Sequence, residues 1–132
     1  MTSKVTYLGE LRTSSIHIQS GNEIISDAPT DNHGKGEAFS PTDAVANALA
    51  TCMFSIMGIK ARDMGVNLEG STAEVTKVMQ PSPRKIAKIE VIFNMKSDAD
   101  EKSREILERV AKTCPVHLSL HPDIICDITF NW

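Results

Sequence analysis

The chain predicts an α+β fold with the element order βββ-α-ββ-α-short α-β, built as a single domain over residues 1–132. Three observations predict it. An uncharged run between a helix-starting and a helix-ending signal fills the stretch from Phe39 to Gly65. Short segments of alternating polarity flank that stretch on both sides, and Ser97 to Thr113 switches to helical spacing. No internal repeat interrupts the order, and no linker rich in Gly, Ser or Pro divides it.

From the start, Lys4 to Arg12 carries β-formers in loose alternation, with Val5, Tyr7, Leu8 and Leu11. Ser15 to Gln19 repeats the pattern with Ile16 and Ile18 on one face. Ser20, Gly21 and Asn22 signal a turn, and Glu23 to Ser26 resumes as a short strand, which completes an antiparallel meander. Asp27 to Ala38, DAPTDNHGKGEA, is a loop by its Pro, Gly and Asn content. It is longer than most connections and runs straight into the central helix, so it reads either as one wall of a pocket or as a surface connector.

The central helix begins at Ser40, which suits the N-cap, followed by Pro41 at the first helical position and by Asp43 as a short-armed capping-box partner. Ala44 to Ile59 carries no formal charge; Lys60, Arg62 and Asp63 then return to water, and Gly65 supplies a left-handed stop. The helix is about 24 residues long, or roughly 36 Å. An uncharged middle on all sides predicts burial all round. The uncharged run of about 16 residues, interrupted by Asn47, Thr51 and Ser55, falls short of the roughly 20 that a membrane span requires. A chain of 132 residues covers such a helix poorly on its own, so an obligate homodimer is expected, with the second copy shielding part of it.

After Gly65, Asn67 to Met79 is rich in β-branched residues, and Gln80-Pro81-Ser82-Pro83 breaks it. Lys85 to Met95 alternates cleanly: Ile86, Lys88, Glu90, Ile92 and Asn94 fall on a wet face, and Ala87, Ile89, Val91, Phe93 and Met95 on a buried one. The two segments form a hairpin. Ser97 to Thr113 places Ile106, Leu107, Val110 and Ala111 on one helical face, with Ser97 or Asp98 as the cap. Pro115 rules out continuation of that helix and suits the first position of a short new one, leaving Cys114 at its N-cap. The closing strand, Asp123 to Trp132, sets Ile124, Cys126, Ile128 and Phe130 on one face, so Cys126 reads as a core residue.

Composition narrows the function. A net charge of −3 and a pI near 5.8, with Lys and Arg scattered, give no basic stripe for nucleic acid and no polybasic membrane anchor. The first ten residues lack the apolar core of a signal peptide. Three cysteines cannot all pair, which argues against a disulfide framework and for a reducing cytoplasm.

Three constellations could carry chemistry. Cys52 lies mid-helix in an apolar run, where a free cysteine is either a small hydrophobe or a thiol that needs a nearby cation or hydrogen-bond donors to ionise. Cys114, at a helix start, sees backbone N–H donors that favour thiolate. Cys114, His117 and His121 resemble half a zinc site, without the second ligand pair a full one needs. Asp43, Asn47, Thr51 and Ser55, four residues apart, form a polar stripe suited to helix contacts across a dimer or to a pocket wall.

Ser40-Pro41-Thr42-Asp43 leading into Ala48-Leu49-Ala50-Thr51-Cys52, with Cys114-Pro115-Val116 some sixty residues later, resembles the signature of the OsmC/Ohr family. That family comprises the osmotically inducible protein C and organic hydroperoxide resistance proteins. The resemblance runs over nearly the whole chain and lies nearer the OsmC-like branch. It implies an OsmC-like fold with a long buried central helix, an intertwined homodimer with active sites at the subunit interface, and a thiol-dependent peroxidase needing no cofactor. By position Cys52 is then the peroxidatic and Cys114 the resolving cysteine, with organic hydroperoxides, and hydrogen peroxide among the candidates, as substrates and a dithiol as reductant. In the family an arginine from the N-terminal strands supports the thiolate and a helix glutamate positions it. Arg12 takes the first role here. Thr42 stands where the glutamate belongs, which leaves Asp43 as its substitute. The alternatives are a non-catalytic protein holding a small apolar ligand in the interface pocket, and a metal-binding module around Cys114, His117 and His121.

Overall fold

The computed structural model describes all 132 residues, which divide into two compact units, Met1–Val45 and Ala46–Trp132. In the first, β1 (Ser3–Gly9), β2 (Arg12–His17) and β3 (Glu23–Asp27) pair antiparallel in chain order, the expected meander. The first turn falls earlier than the alternation suggests. Glu10 and Leu11 both adopt positive φ, 49° and 63°, which is how a two-residue hairpin loop matches the strand twist. Arg12 therefore opens β2 instead of ending β1. Between β2 and β3 the ladder runs from Ile16 opposite Glu23 to Arg12 opposite Asp27.

The loop after β3 is tied down along its length. Its backbone makes a 3-10 turn at Thr30–Asn32. Gly34 N–H donates to the Pro29 carbonyl, Gly36 N–H to that of Ala28, and Asp27 N–H to that of Phe39. The long helix α1 then runs Pro41–Asp63, 23 residues. Its start is the capping box the sequence promised: the Asp43 N–H donates to Ser40 Oγ at 3.0 Å, and the Ser40 N–H to Asp43 Oδ2 at 2.9 Å. Gly65, at φ 70°, stops it.

In the second unit β4 (Thr72–Pro81) and β5 (Arg84–Asn94) form the expected hairpin. The last strand, β6 (Ile125–Asn131), pairs with β5 in parallel, giving the order β4-β5-β6. A parallel partner needs a crossover, and α2 (Glu101–Ala111) with the short α3 (Pro115–Ser119) supplies it. The cap of α2 is Asp100, whose carboxylate accepts from Ser103 N–H at 2.8 Å, not Ser97 or Asp98. Ser97 instead bonds Ala99 N–H in the loop before it.

One core holds this unit. Ala46, Leu49, Ala50, Met53, Met57 and Ala61 make the buried stripe of α1. They join Ile86, Ile89, Val91, Phe93 and Met95 of the β5 strand and its end, and Leu107 and Ala111 of α2. Phe93 sits at its centre, edge-on to Phe54 at 4.8 Å and stacked on Phe130 at 5.0 Å. Ile86 departs from its expected wet face. A bulge where Val78 opposes Lys88 and Met79 opposes Ile86 leaves Ala87 unpaired, and that extra residue flips the alternation so that Ile86 turns inward.

The central helix is not buried all round within this chain. Opposite its core stripe, Asn47, Thr51, Ser55, Gly58 and Ile59 are exposed, Ile59 at 61%. Thr51 and Ser55 satisfy themselves by donating to the helix's own carbonyls, of Ala48 and Thr51. By length and composition alone α1 could cross a membrane. Its buried stripe is instead spent on the protein core.

The core makes a direct prediction. Phe93→Ala should cost about 3–5 kcal/mol in urea unfolding. Ile125→Ala, on the exposed side of β6, should stay within about 0.5 kcal/mol. Equal losses would place the core elsewhere.

Candidate functional site

Pro115 breaks the chain after α2, and the break sets the thiol. Cys114 takes the extended N-cap conformation, φ −64° and ψ 141°, and its sulfur accepts from the His117 backbone N–H at 3.3 Å. The side chain is fully buried, at 0% exposure. Cys52 reaches the same place from the middle of α1. It is half-buried against the same core that holds Cys114, near enough to influence the Cys114 thiol. Two residues 62 positions apart in sequence are thus brought together, both as free thiols.

Burial pushes the Cys114 thiol above its ordinary pKa. The His117 N–H pulls it down by less, and the neighbouring Cys52 adds to the rise. The N-cap alone suggested a thiolate; the dry surroundings win instead, and Cys114 is held protonated. Cys126 also rises through burial, facing the core from β6 as its alternation implied.

His117 and His121 are occupied otherwise. His117 Nδ1 contacts the Lys112 carbonyl at 2.9 Å, and His121 Nδ1 accepts from the Asp123 N–H at 3.2 Å. Nowhere do three His, Cys, Asp or Glu side chains come together as metal ligands would.

Arg12 belongs to the other compact unit, where carboxylates of β3 and of the loop after it hold its guanidinium. Its Nε donates to Asp27 Oδ1 at 2.7 Å and its Nη2 to Asp27 Oδ2 at 2.8 Å, a bidentate fork. Nη2 also donates to Glu37 Oε2 at 2.9 Å. The loop closes the arrangement, since the Glu37 N–H donates to Asp27 Oδ2 at 3.0 Å. Beside it Lys35 pairs with Glu10 at 2.6 Å. Asp43, the substitute suggested by position, is instead held in the helix cap. Neither Asp27 nor Glu37 was picked out from the sequence. The available signal was the ladder itself: carried outward from Ile16 opposite Glu23, it sets Arg12 opposite Asp27.

The hydrogen bonds from Arg12 hold the Asp27 carboxyl below the usual carboxylate range, against the opposing effect of burial, and raise the guanidinium further above its own.

A core helix carrying one thiol beside a second thiol on a proline-broken turn, laid on a mixed sheet, defines a dithiol α+β protein. The chain belongs to the OsmC-like family: the model of the family described as OsmC-like protein matches residues 34–129. A protein of Psychrobacter arcticus 273-4, provisionally described as an osmotic stress induced and detoxification response protein, is 54% identical. The match covers 99% of this chain and 96% of that one, with a TM-score of 0.96. An OsmC-like protein of Mycoplasma pneumoniae shares the fold at 18% identity, covering 98% and 94% of the two chains with a TM-score of 0.80. An organic hydroperoxide resistance protein of Legionella pneumophila does so at 18% identity, covering 100% and 98%, with a TM-score of 0.73. No curated protein matches this chain.

The depressed Asp27 carboxyl has a consequence for stability. The fold favours its ionised form, so the stabilisation is present above the unfolded carboxyl value, about 3.9, and is lost as pH falls through the lower folded value. Thermal unfolding followed from pH 7 to pH 3 should show the protein losing stability on the acid side. Asp27→Asn should start lower and lose less. An unchanged slope in that variant would remove Asp27 as a source of the acid sensitivity.

Proposed function

We propose that this protein is a thiol-dependent peroxidase, reducing organic hydroperoxides through a Cys52 sulfenic acid and a Cys52–Cys114 disulfide. One observation carries the reading: two free thiols, far apart in sequence, share one core cluster, Cys52 partly exposed and Cys114 sealed and protonated. Family membership and the name borne by the Legionella pneumophila relative support a role connected with peroxides.

The division of labour follows from burial. Cys52 is the sulfur a peroxide can reach. Its thiolate donates an electron pair to the terminal peroxide oxygen, the O–O bond breaks, and the departing alkoxide takes a proton to become the alcohol. Cys52 is left as sulfenic acid. The Cys114 thiolate then attacks that sulfur, and hydroxide leaves as water with the proton Cys114 gave up. The resulting disulfide is reduced by two thiol exchanges with an external dithiol, which leaves oxidised while both cysteines return to thiols. In this reading Arg12 supports the Cys52 thiolate and a reducing cytoplasm supplies the dithiol.

The raised Cys114 value governs the second step. Its thiolate fraction grows with pH well past the ordinary thiol value of about 8.5, so disulfide closure should accelerate steadily through that range. Mass spectrometry after one equivalent of an organic hydroperoxide should find two hydrogens lost and one Cys52–Cys114 bond. Cys52→Ser should abolish turnover, and Cys114→Ser should stop at a trappable sulfenic acid. Undiminished turnover in Cys52→Ser would refute the proposal.

A homodimer is part of the same reading. The open face of α1 and the exposed Val5, Tyr7, Leu8 and Ile24 of the first sheet leave more apolar surface than a monomer tolerates. Sedimentation at micromolar concentration should give twice the chain mass; a monodisperse monomer would count against it.

A further inference from the structure

Where α1 and α2 end, they leave a cleft of about 470 Å³, lined by Lys60, Met64, Ile106, Arg109, Val110 and Thr113. All six residues belong to the second compact unit. We propose that this cleft binds a small amphipathic carboxylate, with its apolar chain on Met64, Ile106 and Val110 and its anionic head on Lys60 and Arg109. The site is separate from the thiols and does not rest on the peroxidase reading.

The lining comes in three pairs one helical turn apart: Lys60 with Met64, Ile106 with Val110, and Arg109 with Thr113. Each helix end therefore offers a wall, not a single side chain. Met64, Ile106 and Val110 are half-buried and carry no side-chain donor, which suits a hydrocarbon chain. Thr113 gives its hydroxyl proton to the Val110 carbonyl at 2.7 Å, so the charged head falls to the two cations. A mostly apolar cleft whose only charged side chains are positive selects an anion with an apolar body.

Neither cation is committed elsewhere in the chain. Lys60 is half-buried, with Asp63 three residues on, and Arg109 is exposed, with Glu105 four residues back. Both acids lie one helical turn away, yet neither Lys60 nor Arg109 makes an ion pair or a side-chain hydrogen bond. The carbonyls at the helix ends do not use them either. Those of Lys60, Ala61 and Arg62 accept from the backbone N–H groups of Met64, Val66 and Gly65, and those of Val110 and Ala111 from Thr113 and Cys114. The helix dipoles ask only for positive charge near each end, not for two cations on one cleft. Half-burying a lysine without a counter-charge is unfavourable, and a bound carboxylate would offset that.

A second copy of the chain is a poorer occupant. Across a two-fold interface it would bring the same two cations to the same patch. A dissolved carboxylate supplies the opposite charge and a chain to cover the apolar wall.

The test is a titration of the full-length protein with decanoate, below its micelle concentration, followed in the methyl NMR signals of Met64 and Ile106. Both signals should shift saturably. Decanol, with the same chain and no charge, should bind about tenfold more weakly, and acetate, with the charge and no chain, should not compete. Lys60→Gln should weaken decanoate about tenfold, and Arg109→Gln, at the exposed side, about threefold. Should Lys60→Gln fail to fold, the preference for decanoate over decanol in the unaltered protein still decides the role of charge.

Unmoved signals at Met64 and Ile106, or equal affinity for decanoate and decanol, overturn the proposal. So do shifts confined to the surroundings of Cys52, which would put the chain at the thiols. Signals that broaden with protein concentration and ignore decanoate would assign the cleft to a second copy. Binding to phosphatidylglycerol vesicles that Lys60→Gln weakens, with no response to decanoate, would assign it to a membrane surface. Either result overturns the dissolved carboxylate.

Discussion

The placement of Cys114 depends on one steric fact: Pro115 has no N–H to give and cannot extend the helix before it. The chain breaks there, and the residue ahead of a proline is pushed to extended backbone, so Cys114 becomes the cap of α3. A cap residue turns its side chain back over the first helical turn, which is where the His117 N–H meets the sulfur. The same sulfur belongs to the core cluster that holds the buried stripe of α1, so the sulfur that caps is also sealed from water. Had the helix run on through position 115, residue 114 would have kept helical φ and ψ and its side chain would have had no turn to cap.

Two electrostatic influences then compete at that sulfur. An N-cap donor lowers a thiol's pKa and a dry site raises it. In a helix of five residues with one direct N–H, burial prevails. A protonated sulfur is a poor nucleophile and oxidises slowly, so burial keeps this thiol quiet. At Arg12 the balance falls the other way. A guanidinium fork and a backbone N–H together outweigh burial, and the carboxylate stays charged.

Much of this was legible in the sequence because local chemistry decides it. Ser40, Pro41 and Asp43 announce the start of α1, Gly65 its end, and Cys114-Pro115 the cap, each from side-chain groups within a few residues of one another. The failures share a cause as well. The bulge at Ala87, which turned Ile86 inward, is set by how β4 and β5 pair and leaves no mark in the alternation of β5 alone. Asp100 outbid Ser97 and Asp98 for the α2 cap because its carboxylate sits three residues before Ser103, while Ser97 was drawn into the preceding loop. The parallel placement of β6 beside β5 is likewise a fact about the sheet, invisible in either strand.

The carboxylate beside Arg12 is one that local chemistry does not announce. Position along the helix points to Asp43, which the structure keeps in the cap. A single carboxylate beside Ser40 already has work: the N–H of the cap residue lies 2.9 Å from it, and giving that up would open the first turn of a helix that carries Cys52. With Thr42 able to offer only a hydroxyl, a charged partner for the guanidinium had to come from elsewhere in the chain. Register provides it, since a residue opening β2 is necessarily opposite the one closing β3. The buried position of Asp27 then imposes its own condition. An ionised carboxylate sealed from solvent persists only where it is fully bonded, and Arg12 together with the returning loop is what bonds it. The dependence is therefore mutual: the guanidinium is held in place by the same fork that makes the buried charge tolerable.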